Sequence, residues 1–406
     1  MSPARPFRLA IGLDGAGWHP AAWREASARP DDLLSAGYWR DLVRGAQDAL
    51  AELVTIEDSF APQSADPWHP DDRTDQVRGR LDAALVAARL APVARGIGLV
   101  PTVTLTHTEP FHVSKAIATL DHTSRGFAGV QVRVSGGAYQ AGLFGRRDLP
   151  DFAPPFDLTD PALVAAIQDL FDEGADAVEA IRRLWDSWED DAEIRDAATG
   201  RFVDRDKLHT VDFVGRWFSV RGPSITPRSP QGQPVVVSLA HQPIPYAFAA
   251  RASDVVLVTP FDDADAARIL REVRDAERAV DRAVPLQVWA DVVVVLDSPT
   301  ESGAARLARL DDVAGGTWST DTGIVAGSAT DLADRFAHWH DLGYDGVRLR
   351  PATLPDDLAL IAADLAPELR HRGLTRTAYD ADSLRGLLGL PTDVPSRYAT
   401  AATTHA

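Results

Sequence analysis

The side chains best suited to chemistry in this chain stand at the ends of short apolar runs. His19 follows the run at 8–14, Asp58 follows 53–56, and His107 follows 98–105. Arg133 and Ser135 close the run at 129–134, and His241 and Gln242 follow 235–239. An imidazole could move a proton at neutral pH. A carboxylate such as Asp58 could accept a hydrogen bond from a ligand or cap the next helix. A guanidinium such as Arg133 could hold an anion, although it reads here as pointing outward between helices. His19, His107 and His241 are expected to converge on one face, while each alone is an ordinary loop residue. Thr102 and Thr104 fit either ligand contact or simple β preference. No spacing supports a metal site: His338 and His340 stand at i and i+2 of a helix and face opposite sides. Glu189-Asp190-Asp191 reads as a solvated helix end, and Gly136-Gly137 as a turn.

Composition narrows the classes. The chain has 406 residues and a formal net charge of -18, which argues against nucleic acid, because phosphate neutralisation needs clustered Lys and Arg. Cysteine is absent, so disulfides, thiolate metal sites and Cys nucleophiles are excluded together. No apolar run approaches the roughly 18 residues of a spanning helix, and the N-terminus lacks a signal-peptide core. The expectation is a cytoplasmic protein without membrane contact.

Elements that would position these residues alternate in type. Strands are predicted at 8–14, 53–56, 98–105, 129–134, 235–239, 254–258, 286–296 and 346–349. Helices are predicted at 38–53, 75–94, 110–120, 161–188, 246–252, 263–281, 299–310, 329–342 and 355–372. In the second helix Val77, Leu81, Leu85 and Ala88 are expected to face inward. Residues 138–160 and 315–327 read as loops, and 391–406 as a loose tail. Eight βα units predict a parallel (β/α)8 TIM-type barrel with insertions. An open doubly wound sheet is the alternative, although no Gly-rich dinucleotide fingerprint follows the first strand. Residues 1–390 read as one barrel domain with an insertion near 138–233.

The block from Leu184 to Gln242 is the most specific stretch. It holds LWDSWEDDA, the turn Asp196 to Phe202, GRWFSVRGP and PRSPQGQPVV. With Ala22-Trp23-Arg24, Glu109-Pro110-Phe111, Ala118 to His122, Arg370 to Leu374, Tyr379 and Leu384 to Leu390, it resembles the luciferase-like flavin monooxygenases. Within them it is similar to the nitrilotriacetate and dibenzothiophene-sulfone monooxygenase branch, over roughly residues 8 to 390. The resemblance implies a (β/α)8 barrel that takes reduced FMN from a separate flavin reductase and uses O2 to oxidise a small-molecule substrate. It also implies a homodimer. The cofactor would then carry the chemistry, and the protein would hold it, exclude water and place the substrate.

Carried over position by position, the resemblance implies cofactor contacts at Asp58, Thr102, Thr104, Gln131, Ser135 and Gln242; the positions of His19 in the first loop and His107 at the end of the third strand are what would put one of them near the reacting centre. Gln131 stands where the family has Asn, and Arg133 has no counterpart. The family's phosphate turn after the fifth strand, rich in Gly and Ser, reads here His241-Gln242-Pro243-Ile244-Pro245-Tyr246. Two prolines there remove two N–H donors. The helix segment that usually supplies a Tyr reads Phe171-Asp172-Glu173. Two further readings follow from these departures: a non-catalytic barrel that pairs with a competent subunit, or a barrel for another flavin-like cofactor such as a deazaflavin.

Overall fold

The computed structural model describes residues 6–64, 69–150 and 159–399. Eight parallel strands close a barrel: β1 Arg8–Leu13, β2 Leu53–Ile56, β3 Gly98–Thr104, β4 Gly129–Arg133, β5 Val235–Ala240, β6 Val255–Val258, β7 Gln287–Leu296 and β8 Gly346–Pro351. Closure is direct. Arg8 is in register with Gly346 across β1 and β8, and Val255 with Gln287 across β6 and β7. The doubly wound alternative is thereby excluded. These strands are near-continuous apolar runs because helices cover the barrel outside and side chains fill it inside. β7 is buried along its whole length. Its second half also pairs with an accessory strand, Ile324–Gly327, inside the segment expected to be a loop.

The helices are α1 Ala36–Asp48, α2 Ala83–Leu90, α3 Pro110–Ser124, α4 Ala138–Phe144, α5 Pro161–Asp186, α6 Pro243–Ala252, α7 Asp263–Arg278, α8 Gly303–Ala314, α9 Ala329–Leu342, α10 Asp356–Leu360, which runs through a π turn at Ile361–Leu365 into α11 Ala366–His371, and α12 Leu384–Leu387. α2 departs from expectation. Gly79 lies at φ +91 and Asp82 caps the helix from the first position outside it, so residues 75–82 stay irregular. The buried face is Ala83, Val86, Ala87 and Leu90, whereas Leu81 and Leu85 are exposed. α4 forms where a loop was expected; residues 151–158 of that stretch lie outside the described residues.

The barrel interior changes character along its axis. At the N-terminal end, Trp289, Val100, Val237 and Leu257 pack on Leu384, Leu387 and Leu388 of the C-terminal segment, which plugs that opening. Toward the C-terminal ends of the strands the filling becomes polar, with Thr102, Gln131, Asp291 and Arg348 all buried.

The insertion after β4 is α4, α5 and two hairpins, Glu193–Asp196 with Arg201–Val203 and Phe213–Val214 with Ser219–Val220. Its Pro227 to Gln233 segment is a clamp. Buried Asp121 accepts from the Gln231 N–H (3.0 Å), the Gln231 amide (2.6 Å) and the Ala128 N–H (3.2 Å). The Gln231 side-chain oxygen accepts the Arg385 N–H at 2.9 Å, which ties insertion, α3 and C-terminal segment together. The expected loose tail does not begin at 391. Arg228 donates to the Val394 carbonyl, Ser396 to Asp186, and Tyr398 stacks on His209, so the chain stays docked through 399.

Candidate active site at the barrel mouth

The polar floor comes from β2, β3, β4, β7 and β8. Arg348 is fully buried and donates to Asp291 twice (2.7 and 2.6 Å), to Glu57 (2.9 Å), to the Gln131 oxygen (2.8 Å) and to Thr55 (3.1 Å). The Gln131 amide in turn donates to Thr102 (3.0 Å) and Glu57 (3.2 Å). Arg350 bonds Asp291 and reaches Asp321 at 2.6 Å, with its guanidinium 4.6 Å from the Trp18 ring centroid. Burial alone would raise the Asp291 pKa, but Arg348 and Arg350 hold it below the ordinary carboxylate range. Two arginines and a carboxylate in this arrangement pair their charges, which is the condition for burying charge at all, although the Arg350 Nε keeps no hydrogen-bond partner among the described residues.

Above the floor lies a cavity of about 800 Å³. Its walls are the β1–α1 loop (Asp14 to Pro20), the segment after β2 (Glu57 to Ser64), residues 73–80, the end of β4, and the 314–321 loop. Gly17 makes the first wall possible. At φ +126 it lets the chain pass the end of β8 so closely that a Cβ would overlap the Ala352 carbonyl oxygen. The Trp18 and His19 N–H groups then donate to the carbonyls of Pro351 (3.1 Å) and Ala352 (3.0 Å). This is the C-terminal face, where barrel enzymes carry their sites.

Of the candidate histidines, only His19 lines this cavity. Its Nδ1 accepts the Ala21 N–H (3.1 Å), so Nε2 carries the hydrogen that faces Asp311 (3.1 Å). Both ring nitrogens are engaged, and burial lowers its pKa despite Asp311. His107 lines a second cavity of about 230 Å³ with Arg147, Glu173 and Trp217. His107 also clusters with Phe60 and Phe144, stacked on Phe144 at 5.0 Å, and its Nε2 is buried without a partner among the described residues. Burial lowers the His107 pKa, and Arg147 and Arg146 lower it further. His241 bonds the Thr259 hydroxyl at 2.7 Å and lies 3.7 Å from Asp321. The three imidazoles therefore do not meet at one point.

The other candidates have structural partners. Asp58 accepts the N–H groups of Ala83 (2.9 Å) and Ser59 (2.7 Å), capping α2. Thr104 is buried in β3. The Ser135 hydroxyl donates to Gln140 at 2.7 Å. Gln242 is the exposed residue preceding α6. The cavity is lined instead by their neighbours Glu57, Ser59, Arg133 and Gln140. Arg133 thus points into the barrel mouth and not outward between helices, because it shares the inward face of β4 with Gln131. The floor residues Glu57, Asp291, Arg348 and Arg350 were missed by motif reading. Their signal was present as charges inside otherwise apolar strands, where burial demands a partner.

The α6 turn offers little to a phosphate. Pro243 and Pro245 occupy the first and third helical positions, and the Tyr246 N–H bonds back to the Gln242 carbonyl (3.0 Å). Gln242 and Ile244 keep the remaining amides of that turn. The mouth cavity, by contrast, is of the size that holds small ligands and cofactors and has a rigid polar floor. The mouth has the volume for a ring system of flavin size, whereas the α6 turn lacks the free amides of a phosphate cradle. Among the described residues no group of three or more His, Asp or Glu could hold a metal ion. No described helix is long and apolar enough to cross a membrane.

A closed parallel barrel with a deep site at the C-terminal ends of its strands defines the class. Residues 18–315 match the luciferase-like monooxygenase family, and the chain belongs to it. It is 27% identical to N-acetyl-S-(2-succino)cysteine monooxygenase of Bacillus subtilis (strain 168), over 98% of this chain and 99% of that protein. It is 26% identical to nitrilotriacetate monooxygenase component A of Aminobacter aminovorans, over 96% of this chain and 98% of that protein. A crystal structure of a long-chain alkane monooxygenase superposes with a TM-score of 0.82 at 18% identity, covering 96% of each chain, which shows the same fold. The protein is a luciferase-like monooxygenase, an oxidoreductase.

Proposed function

We propose that this chain is the oxygenase component of a two-component system that takes reduced FMN from a separate flavin reductase and oxidises a small organic substrate with O2. The observation that carries this reading is the mouth cavity of about 800 Å³ over the fixed Glu57–Gln131–Arg348 floor in a chain of this family. A bound reduced flavin would supply the electrons that activate oxygen, and the protein would supply position and dryness. Beneath Glu57, Arg348 holds Gln131, which donates to Thr102, so the cavity edge rests on a network that does not reorganise. Glu57 has one carboxylate oxygen held by Arg348 and Gln131 and borders the cavity, so it can accept a ring N–H. Trp18 and Trp318 wall the pocket, and His19 fixes the first loop to α8 through Asp311. The word "component" in the name of the Aminobacter relative agrees with a reductase partner. The protein works as a cytoplasmic homodimer in this reading.

The proline-filled α6 turn favours a second reading, a barrel that pairs with a competent subunit and binds no flavin. Titration with reduced and oxidised FMN separates the two. Micromolar affinity for reduced FMN, with substrate-independent oxygen consumption once a reductase is added, is the expected result. No binding at millimolar FMN would sink the enzyme reading.

A further inference from the structure

Arg133 ends β4 with its guanidinium in the mouth cavity. Its hydrogen bond runs from Nη1 to the Asp58 carbonyl at 3.3 Å, a long contact to a neutral acceptor. Among the described residues, no carboxylate lies within ion-pair distance of it. The carboxylates around it are committed elsewhere. Asp14 holds Arg80 at 2.7 Å, Glu57 holds Arg348 at 2.9 Å, and Asp321 holds Arg350 at 2.6 Å. Among the described residues, the cavity wall therefore sets carboxylates already paired with arginines beside one unmatched, donor-rich cation. A guanidinium has five N–H donors, and four here have no acceptor among the described residues.

We propose that Arg133 anchors a carboxylate of the substrate, so that the small molecule oxidised here is an organic anion. This deepens the flavin-monooxygenase reading and rests on it for the reaction, though not for the binding site. A planar carboxylate matches the guanidinium fork in two parallel hydrogen bonds. A single unmatched positive charge balances a monoanion. A phosphate monoester carries more negative charge, and it would meet Asp14, Glu57 and Asp321 together with the C-terminal end of α8, whose dipole is negative. The net charge of -18 repels anions at long range, but that field is screened beyond about 8 Å at physiological salt. Binding then depends on the local guanidinium. Trp18, Trp318 and Tyr139 offer aromatic surface to the remainder of such a molecule.

The test uses the full chain as wild type, Arg133→Lys and Arg133→Met, with Arg133→Gln available should the Met variant not fold. Each is titrated with succinate, benzoate and N-acetylglycine, with succinamide as a neutral control, and separately with oxidised FMN. Saturation-transfer NMR reads the small acids and fluorescence quenching reads FMN. The expected result is salt-sensitive binding of at least one acid to the wild type, weakened about tenfold or more in Arg133→Met and less in Arg133→Lys. Succinamide should not bind, and FMN affinity should stay within about threefold. Equal acid binding by wild type and Arg133→Met would overturn the proposal. So would the absence of any acid binding to the wild type at about 10 mM. Loss of FMN binding in Arg133→Met, with the acids competing against FMN, would also overturn it by assigning the guanidinium to the flavin phosphate. Acid binding that depends on Arg133 in a wild type that binds no FMN would support the anion site and sink the flavin reading instead.

Discussion

Arg348 and Arg133 both enter the barrel from the inner face of its sheet, and their surroundings differ completely. Arg348 on β8 is fully buried and donates to Asp291, Glu57, Gln131 and Thr55. Arg133 on β4 has one long bond to a backbone carbonyl and open cavity beyond it. The first arrangement is closed at its cation: the Arg348 guanidinium is paired with carboxylates and has no surplus charge for a ligand. The second is open and has a donor surplus. A charge embedded in a satisfied network builds a platform, whereas a charge left without a counter-ion beside a cavity is available for recognition.

The largest effect should follow from breaking the closed arrangement. Asp291→Ala leaves Arg348 and Arg350 buried against a missing carboxylate, which should cost about 3–5 kcal/mol of folding stability. Urea denaturation at neutral pH measures it. Arg133→Met, at the open site, should move stability by no more than about 1 kcal/mol. A fall as large at Arg133 as at Asp291 would erase the distinction between platform and recognition. Exchanging Asp291, Arg348 and Arg350 together for apolar residues sharpens it. That variant should regain much of the lost stability, yet it should not restore turnover, because Gln131 and Glu57 lose the guanidinium that orients them.

The barrel was legible because βα alternation is a long-range pattern that eight apolar runs repeat, and local propensity agreed with it at nearly every unit. α2 was misplaced because Val77, Leu81, Leu85 and Ala88 have helical spacing, while Gly79 at positive φ and the Asp82 cap start the helix later. The motif residues that reveal the family, such as Asp121, Gln231 and Arg385, turn out to clamp the insertion to the C-terminal plug. They identify the fold without touching the mouth. The site itself was only partly readable. Proline at 243 and 245 correctly marked a turn with few amides. The floor was not visible, because Asp291, Arg348 and Glu57 are far apart in sequence and only barrel closure brings them together. Arg133 was assigned the wrong face because a cation on a strand is usually solvated, and the mouth cavity that solvates it exists only in three dimensions.

His19 gives a smaller effect with a definite sign. Its folded pKa lies below the ordinary histidine value of about 6.5, chiefly through burial. The unfolded chain therefore takes up the proton first as pH falls. Stability from this group is complete above about pH 6.5 and declines as pH drops toward the folded value, by at most about 1.4 kcal/mol per pH unit. Protonation would also break the Ala21 N–H bond to Nδ1, loosening the first wall of the cavity. His19→Gln should flatten the stability profile between pH 7 and pH 5. An unchanged slope would place the acid sensitivity in other groups, such as His107 and His241, which burial also lowers.

The smallest effect belongs to the second cavity and decides what His107 is for. Its Nε2 is buried with no partner among the described residues, and its ring stacks on Phe144 at 5.0 Å. His107→Phe keeps the stack and removes an unsatisfied polar atom, so stability should rise, by no more than about 1 kcal/mol. Turnover discriminates between the two cavities. If chemistry is confined to the mouth, kcat and KM of His107→Phe should stay near wild type. A proton-transfer role would cost roughly a hundredfold or more in kcat. The same loss would mean that the reacting centre extends into the smaller cavity lined by His107, and that an anion held at Arg133 lies at the far end of a longer site.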